Sequence, residues 1–142
     1  MKKITTKRIG VAMLAGMLLT ASGTAPAKEA YDGTSNFICA TQGVMACVDG
    51  AICSKGQARD FDMPDFMMVD FKGKAIRAFY DGDKEATSAI KNMQSSGTQL
   101  ILQGVENDHG WSVAVHRESG RMSTSVAGDE VSFILFGACH VL

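Results

Sequence analysis

Four cysteines, Cys39, Cys47, Cys53 and Cys139, carry the clearest chemistry in this 142-residue sequence. They include no C-x-x-C pair, and their spacing differs from the common zinc-ligand patterns, so structural disulfides are favoured over a metal or redox site. Cys47 and Cys53 flank the turn-forming pair Asp49-Gly50, which favours a bridge across a hairpin. Cys39 would then pair with Cys139 and join the first strand to the last. The alternative pairing is Cys39 with Cys53 and Cys47 with Cys139.

Two other possible metal sites, one for copper and one for calcium, also have little support in the sequence. Met67, Met68 and His140 are residue types that bind copper, but methionines set among aromatic residues at strand spacing are typical of core packing. The segment Asp81-Gly82-Asp83-Lys84-Glu85 begins like an EF-hand calcium loop. The match fails at Ala86, where the glycine of the sharp turn belongs. We therefore expect neither a bound metal nor a cofactor.

Candidate catalytic groups are few. No Gly-x-Ser-x-Gly elbow, phosphate-binding loop or dinucleotide fingerprint occurs in the sequence. His109 follows Asn107 and Asp108 in a turn-like segment, where a surface position is expected. Asp70 points outward if Val69 and its alternating neighbours face the core, whereas the opposite register would bury a costly carboxylate. We expect the outward register and assign no catalytic residue. An enzyme site assembled in space around His109 or Asp70 remains an alternative.

Residues 1–27 predict a cleaved secretory signal peptide. Four basic residues precede an apolar run from Ile9 to about Ala25, and the run ends in the small-residue pattern Ala25-Pro26-Ala27. A transmembrane helix needs about 20 mostly apolar residues, and this run is shorter and broken by glycines. Lys28 follows the cleavage point where a lipoprotein would need cysteine. We therefore expect a periplasmic or secreted chain without a stable membrane anchor, in a compartment where disulfides persist.

Removal of this leader changes the charge balance. The whole chain has 14 basic and 15 acidic residues, for a net charge of −1. The leader holds four of the basic residues and no acidic one, so residues 28–142 carry 10 against 15, a net charge of −5. An acidic surface repels phosphate backbones, which argues against nucleic acid as a partner. A basic exported protein fits the sign of the charge better. The sequence does not indicate an oligomeric state.

Period-two alternation dominates the chain after the leader. Trp111, Val113 and Val115 alternate with smaller or polar residues, and residues 121–126 repeat the pattern after the turn Glu118-Ser119-Gly120. Residues 83–94 could form a helix of about three turns, but a strand is preferred because the neighbouring segments are strands.

These patterns predict an all-β fold. We expect a small antiparallel barrel or sandwich of seven to eight strands, braced by disulfides, in a single domain over residues 36–142. Residues 28–35 are polar and small and should form a flexible arm.

The layout of the mature chain resembles small exported proteobacterial β domains of unknown function. The resemblance is carried by Phe37-Ile38-Cys39, Cys47, Cys53, Val69-Asp70-Phe71, residues 111–121 and Phe136-Gly137-Ala138-Cys139. It is also similar in layout to the periplasmic inhibitors of C-type lysozyme, which are small β-barrels with a bridge between early and late cysteines. Ser95-Ser96-Gly97 lacks the tyrosine of the Ser-Gly-x-x-Tyr segment that those inhibitors use, so the similarity concerns fold and charge.

Three functions follow as hypotheses. The preferred one is a binding or inhibitor module whose surface loops contact a basic exported protein. The second is carriage of a small apolar ligand in a barrel cavity, since about eight strands leave room for one small ligand. The third is an enzyme with a spatially assembled site.

Overall fold

The computed structural model describes residues 30–49 and 52–142. The predicted signal peptide and its cleavage point lie outside the described residues and stay predictions. Ten strands occur in the described part: β1 (Phe37–Val48), β2 (Ile52–Gly56), β3 (Phe66–Asp70), β4 (Ala75–Phe79), β5 (Glu85–Ala89), β6 (Asn92–Ser96), β7 (Gln99–Glu106), β8 (His109–His116), β9 (Arg121–Ala127) and β10 (Val131–Val141). Two short 3₁₀ helices, η1 (Ala58–Phe61) and η2 (Asp81–Asp83), complete the elements. In the described ranges no helix is long and apolar enough to cross a membrane.

The strands form one antiparallel sheet in the order β5-β4-β3-β1-β10-β9-β8-β7-β6, with β2 paired to the second half of β1. The edge strands β5 and β6 are consecutive in the chain and are joined by only Ile90 and Lys91. The sheet therefore curls into a half-barrel whose two edges meet at this link. The prediction of an all-β antiparallel fold is confirmed, and its barrel form is closer to the structure than a sandwich.

The structure has ten strands where seven to eight were predicted, and one of the additional strands arises because residues 83–94 form two strands, β5 and β6, and not one. The Ile90 amide donates to the carbonyl oxygen of Lys74 at 2.8 Å, and the Lys91 amide donates to that of Gln103 at 2.8 Å. Ile90 thus bonds to the β4 side of the sheet and Lys91 to β7, so the chain passes from one side of the half-barrel to the other between these two residues. The preference for strand over helix in this segment is correct.

Strand register stacks the inward side chains of β8, β9 and β10 in three layers. The upper layer consists of Trp111, Val126 and Phe133, the middle layer of Val113, Thr124 and Leu135, and the lower layer of Val115, Met122 and Gly137. The middle and lower layers are buried, whereas all three members of the upper layer are only half-buried. Side chains therefore fill the interior of the half-barrel at one end and leave it open at the other.

The predicted faces of the strands agree with this arrangement. Val113 and Val115 are 2% and 0% exposed, as expected from the alternation in β8. On β3, Met67 and Val69 are buried and Asp70 faces outward, where its Oδ1 accepts a hydrogen bond from the Gly73 amide at 3.0 Å. The carboxylate thus caps the turn between β3 and β4, and the outward register of Asp70 is confirmed.

Both disulfides of the structure involve β1. Cys39 is bonded to Cys139, its direct partner on β10, and Cys47 is bonded to Cys53, its direct partner on β2. These pairs are the ones that the spacing of the cysteines favoured. The bridges fix the central strand to both of its neighbours, and they are consistent with an exported protein.

Tyr31, which lies within the arm predicted over residues 28–35, packs against the core, and the flexibility of the arm stays a prediction. Tyr31 is 6% exposed, and its hydroxyl donates to the carbonyl oxygen of Cys139 at 2.5 Å. Its ring packs edge-on against Phe37 with the centroids 5.3 Å apart. One aromatic residue in a polar segment is enough to hold the chain against the closed end of the core.

Candidate functional site

The open end of the half-barrel encloses a cleft of about 390 Å³, here called the inner cleft. Its walls come from β3, β4 and β5 on one side and from β8, β9 and β10 on the other. Most of the lining is apolar and includes Met67, Ile76, Ala78, Trp111, Val126 and Phe133. A dry apolar cavity of about 150 Å³ is large enough to hold benzene. The inner cleft therefore has room for a ligand larger than a single aromatic ring.

Thr124 places one polar group in the apolar floor of the inner cleft. It is 3% exposed and lies in register between Val113 and Leu135, which also line the cleft. Its Oγ1 atom is buried and has no hydrogen-bond partner among the described residues. An unsatisfied buried hydroxyl costs about 1–3 kcal/mol, so such atoms are rare in native cores. The hydroxyl therefore counts against the stability of the fold at this position.

Trp111 closes the side of the cleft where the two sheet edges face each other. Its Nε1 donates to Oγ of Ser88 on β5 at 2.9 Å, and that hydroxyl donates to the carbonyl oxygen of Val105 on β7 at 3.4 Å. Gly104 lets the indole lie across β7, because a Cβ atom there would overlap the ring. The Ser88 hydroxyl, held by the indole, thus connects β5 to β7, two strands that are not neighbours in the order of the sheet.

One part of the rim is held by an ion pair between Asp62, next to η1, and Lys84, next to η2. The Lys84 ammonium contacts both carboxylate oxygens, at 3.0 and 2.8 Å, and lies 4.8 Å from the ring centroid of Tyr80. The hydrogen bond to Asp62 raises the pKa of Lys84 above its ordinary value. The pair is exposed, so we assign it a role in positioning the rim and not a large share of stability.

Glu106 and His109 form the opposite part of the rim, at the end of the β7–β8 hairpin where they are direct partners. Nδ1 of His109 lies 2.7 Å from the carbonyl oxygen of Asn107, so Nδ1 carries a proton and donates it. Glu106 continues the inward alternation of Leu100, Leu102 and Gly104 along β7. Its carboxylate therefore belongs to the inner side of the rim.

Tyr80 lies within electrostatic reach of both parts of the rim. Burial raises the pKa of its hydroxyl, the Lys84 ammonium opposes that shift, and the Asp62 and Glu106 carboxylates add to it. The phenol consequently remains neutral at physiological pH and can donate a hydrogen bond.

The structure separates the residues that the sequence offered as catalytic candidates. His109 lines the inner cleft, whereas Asp70 caps a turn on the outside of the sheet. His116 lies in a shallow groove on the outer face with Arg121, and His140 is exposed on β10. Within the described ranges no three side chains of His, Cys, Asp or Glu cluster in a way that could hold a metal ion.

Sequence reasoning did not single out Thr124, Gly104 or Glu106 as parts of one site. Two signals were present: a threonine on an otherwise apolar strand face, and a glycine inside a strand, which often marks a close approach. These signals could not place the residues in one site, because the site forms only when the curl of the sheet brings β4 and β5 opposite β8.

Comparisons of the chain with protein-family models, curated proteins and solved structures return no match. The resemblances to exported proteobacterial domains and to lysozyme inhibitors therefore stay predictions, and the case for function rests on the inner cleft.

Proposed function

We propose that this protein binds a small, mainly apolar ligand in the inner cleft and carries it in the periplasm or outside the cell. The observation behind the proposal is the incomplete burial of Trp111, Val126 and Phe133, three inward-facing apolar side chains around a space of about 390 Å³. Burial of such surface is favourable by about 25 cal/mol per Å², so a ligand that covers these side chains gains affinity.

The composition of the cleft also supports the proposal. Ligand sites are concave, have volumes of about 300–1,000 Å³ and combine apolar walls with a few polar groups that orient the ligand. The inner cleft has mostly apolar walls, and the charged side chains Asp62, Lys84 and Glu106 lie at its rim. This distribution favours a molecule with an apolar body and few polar atoms.

Trp111 provides a direct assay because it is the single tryptophan of the chain and lines the cleft. We expect its fluorescence to change saturably when 1-octanol is titrated into the mature protein with both disulfides intact. Ala78→Phe places a large side chain in the cleft and should abolish the response. Ala114→Phe makes the same change on the outer face of β8 and should preserve it. A flat titration of the wild-type protein would contradict the proposal.

The hypothesis that surface loops bind a basic exported protein remains a prediction from net charge. Capture with the mature chain as bait would test it, and recovery of a basic partner whose binding survives Ala78→Phe would favour it over ligand carriage. The alternative of an enzyme site around His109 or Asp70 stays a prediction. Asp70 caps a turn on the outside of the sheet, whereas His109 lines the inner cleft.

A further inference from the structure

We infer that the inner cleft selects organic cations, meaning alkyl or aryl amines whose apolar body fills the cleft and whose ammonium group lies at the rim beside Glu106. The inference rests on the proposed function and adds the charge of the ligand to it. Three formally charged side chains line the cleft, Asp62, Lys84 and Glu106, for a net charge of −1.

Lys84, the cation of the rim, is already engaged. Its ammonium contacts both carboxylate oxygens of Asp62 and lies over the face of Tyr80, so the pair is electrostatically neutral as a unit. An anionic ligand would have to displace Asp62 from Lys84 before it gained a counter-ion. Such an exchange replaces one exposed ion pair with another and offers little net gain.

Asp62 and Lys84 form an ion pair, so Glu106 is the remaining charged side chain among the three that line the cleft. It is half-buried, lies on the inward side of β7 and has no ion-pair partner in the part of the chain that the structure describes. Glu106 and Tyr80 both line the inner cleft, so they lie around the same opening. A partly desolvated carboxylate attracts a cation more strongly than one in bulk water, because the surrounding dielectric constant is lower.

Aromatic groups at the same opening favour cations further. Tyr80 and Trp111 both line the cleft, and the faces of such rings attract ammonium groups placed within about 6 Å of their centres. Tyr80 already holds the Lys84 ammonium in this way at 4.8 Å. A carboxylate beside aromatic rings at the end of an apolar cleft matches an amine with an apolar tail.

The test compares three ligands with the same eight-carbon chain: octylammonium, 1-octanol and octanoate. Trp111 fluorescence is titrated with each ligand at low ionic strength and about pH 7, where alkyl amines are protonated and carboxylates ionised. We expect octylammonium to bind about fivefold more tightly than octanol, as a partly exposed ion pair allows, and octanoate to bind more weakly than octanol. Added salt should reduce these differences.

Two variants with equal change in net charge locate the effect. Glu106→Gln should reduce the preference for octylammonium over octanol to about one, while octanol binding is retained. Glu118→Gln removes a carboxylate from the turn after the end of β8, whereas Glu106 is paired with His109 at the beginning of β8. The Glu118 variant should therefore leave the preference unchanged.

Each remaining result has a defined meaning. Equal binding of all three ligands, or a preference that survives Glu106→Gln, would overturn the inference and leave the proposed function intact. Tighter binding of octanoate would overturn it in favour of recognition through Lys84. Failure of all three ligands to bind would refute the proposed function, and the inference with it.

Discussion

Gly104 and Trp111 are direct partners on β7 and β8, and the indole of Trp111 occupies the space that a side chain at position 104 would need. A Cβ atom at position 104 would also lie 2.6 Å from the carbonyl oxygen of Ala89 on the opposite edge strand. The absence of a side chain at one residue therefore permits the tryptophan to span the seam of the half-barrel and to reach Ser88.

Gly104→Ala should displace the Trp111 indole and destabilise the fold. The backbone carbonyl of Ala89 has little freedom to move, so we expect overpacking to lower the free energy of unfolding by about 1–3 kcal/mol. Chemical denaturation measures this loss, and the tryptophan emission spectrum of the folded variant should shift. Gly110→Ala is the control in the same hairpin, because a Cβ atom there meets nothing within 4 Å. Equal stability of the two variants would show that the indole does not depend on Gly104.

Thr124 should reduce the stability of the fold, because its hydroxyl is buried and has no hydrogen-bond partner among the described residues. Thr124→Val keeps the shape of the side chain and removes the unsatisfied oxygen, so the free energy of unfolding should rise by about 1–3 kcal/mol. Thr87→Val makes the same change at an exposed position of β5 and should alter stability by less than about 0.5 kcal/mol. A loss of stability in Thr124→Val would mean that the hydroxyl is satisfied in the folded protein.

The contrast between local and long-range features explains how much of this fold the sequence could predict. Alternation in β8 and β9 and the turn Glu118-Ser119-Gly120 between them are local features, and each was interpreted correctly. The crossing at Ile90 and Lys91 depends on hydrogen bonds to residues 74 and 103, which are remote in sequence. Anchoring of Tyr31 likewise depends on Cys139, more than 100 residues away.

The inner cleft was harder to predict than the strands around it. Half-buried Trp111, Val126 and Phe133 have the same alternation as fully buried residues, so periodicity alone cannot show that the space between them is unfilled. That space depends on how strongly the sheet curls and on how far β4 and β5 stand from β8. The sequence offered a small barrel cavity only as an alternative, and the location of the cleft came from the structure.

The two disulfides should contribute unequally to stability because they close loops of different length. Their cysteines are 100 residues apart for Cys39–Cys139 and 6 apart for Cys47–Cys53. The chain-entropy model assigns about 4.7 kcal/mol to a loop of about 100 residues and about 2 kcal/mol to one of about six. We expect the variant with alanine at 39 and 139 to lose at least twice as much unfolding free energy as the variant with alanine at 47 and 53. Similar losses in chemical denaturation would contradict this ranking.

Tyr31 and Tyr80 should make the fold sensitive to alkaline pH. Burial raises the pKa of both hydroxyls, so the folded state favours the neutral phenols more than the unfolded state does. The stability that this preference supplies is complete below pH 10.0, the ordinary pKa of tyrosine, and is lost as the pH rises through the higher values of the folded protein. Unfolding free energy measured from neutral to strongly alkaline pH should therefore fall above about pH 10.

Phenylalanine variants separate the two tyrosines in this measurement. Tyr31→Phe removes the hydrogen bond to the Cys139 carbonyl and should cost about 0.5–1.5 kcal/mol at neutral pH, but it should also weaken the alkaline decline. Tyr80→Phe should weaken the decline without disturbing that bond. These are the two tyrosines of the chain, so the double variant has no phenol left to ionise. If its stability falls above about pH 10 as steeply as that of the wild type, groups other than the tyrosines cause the decline.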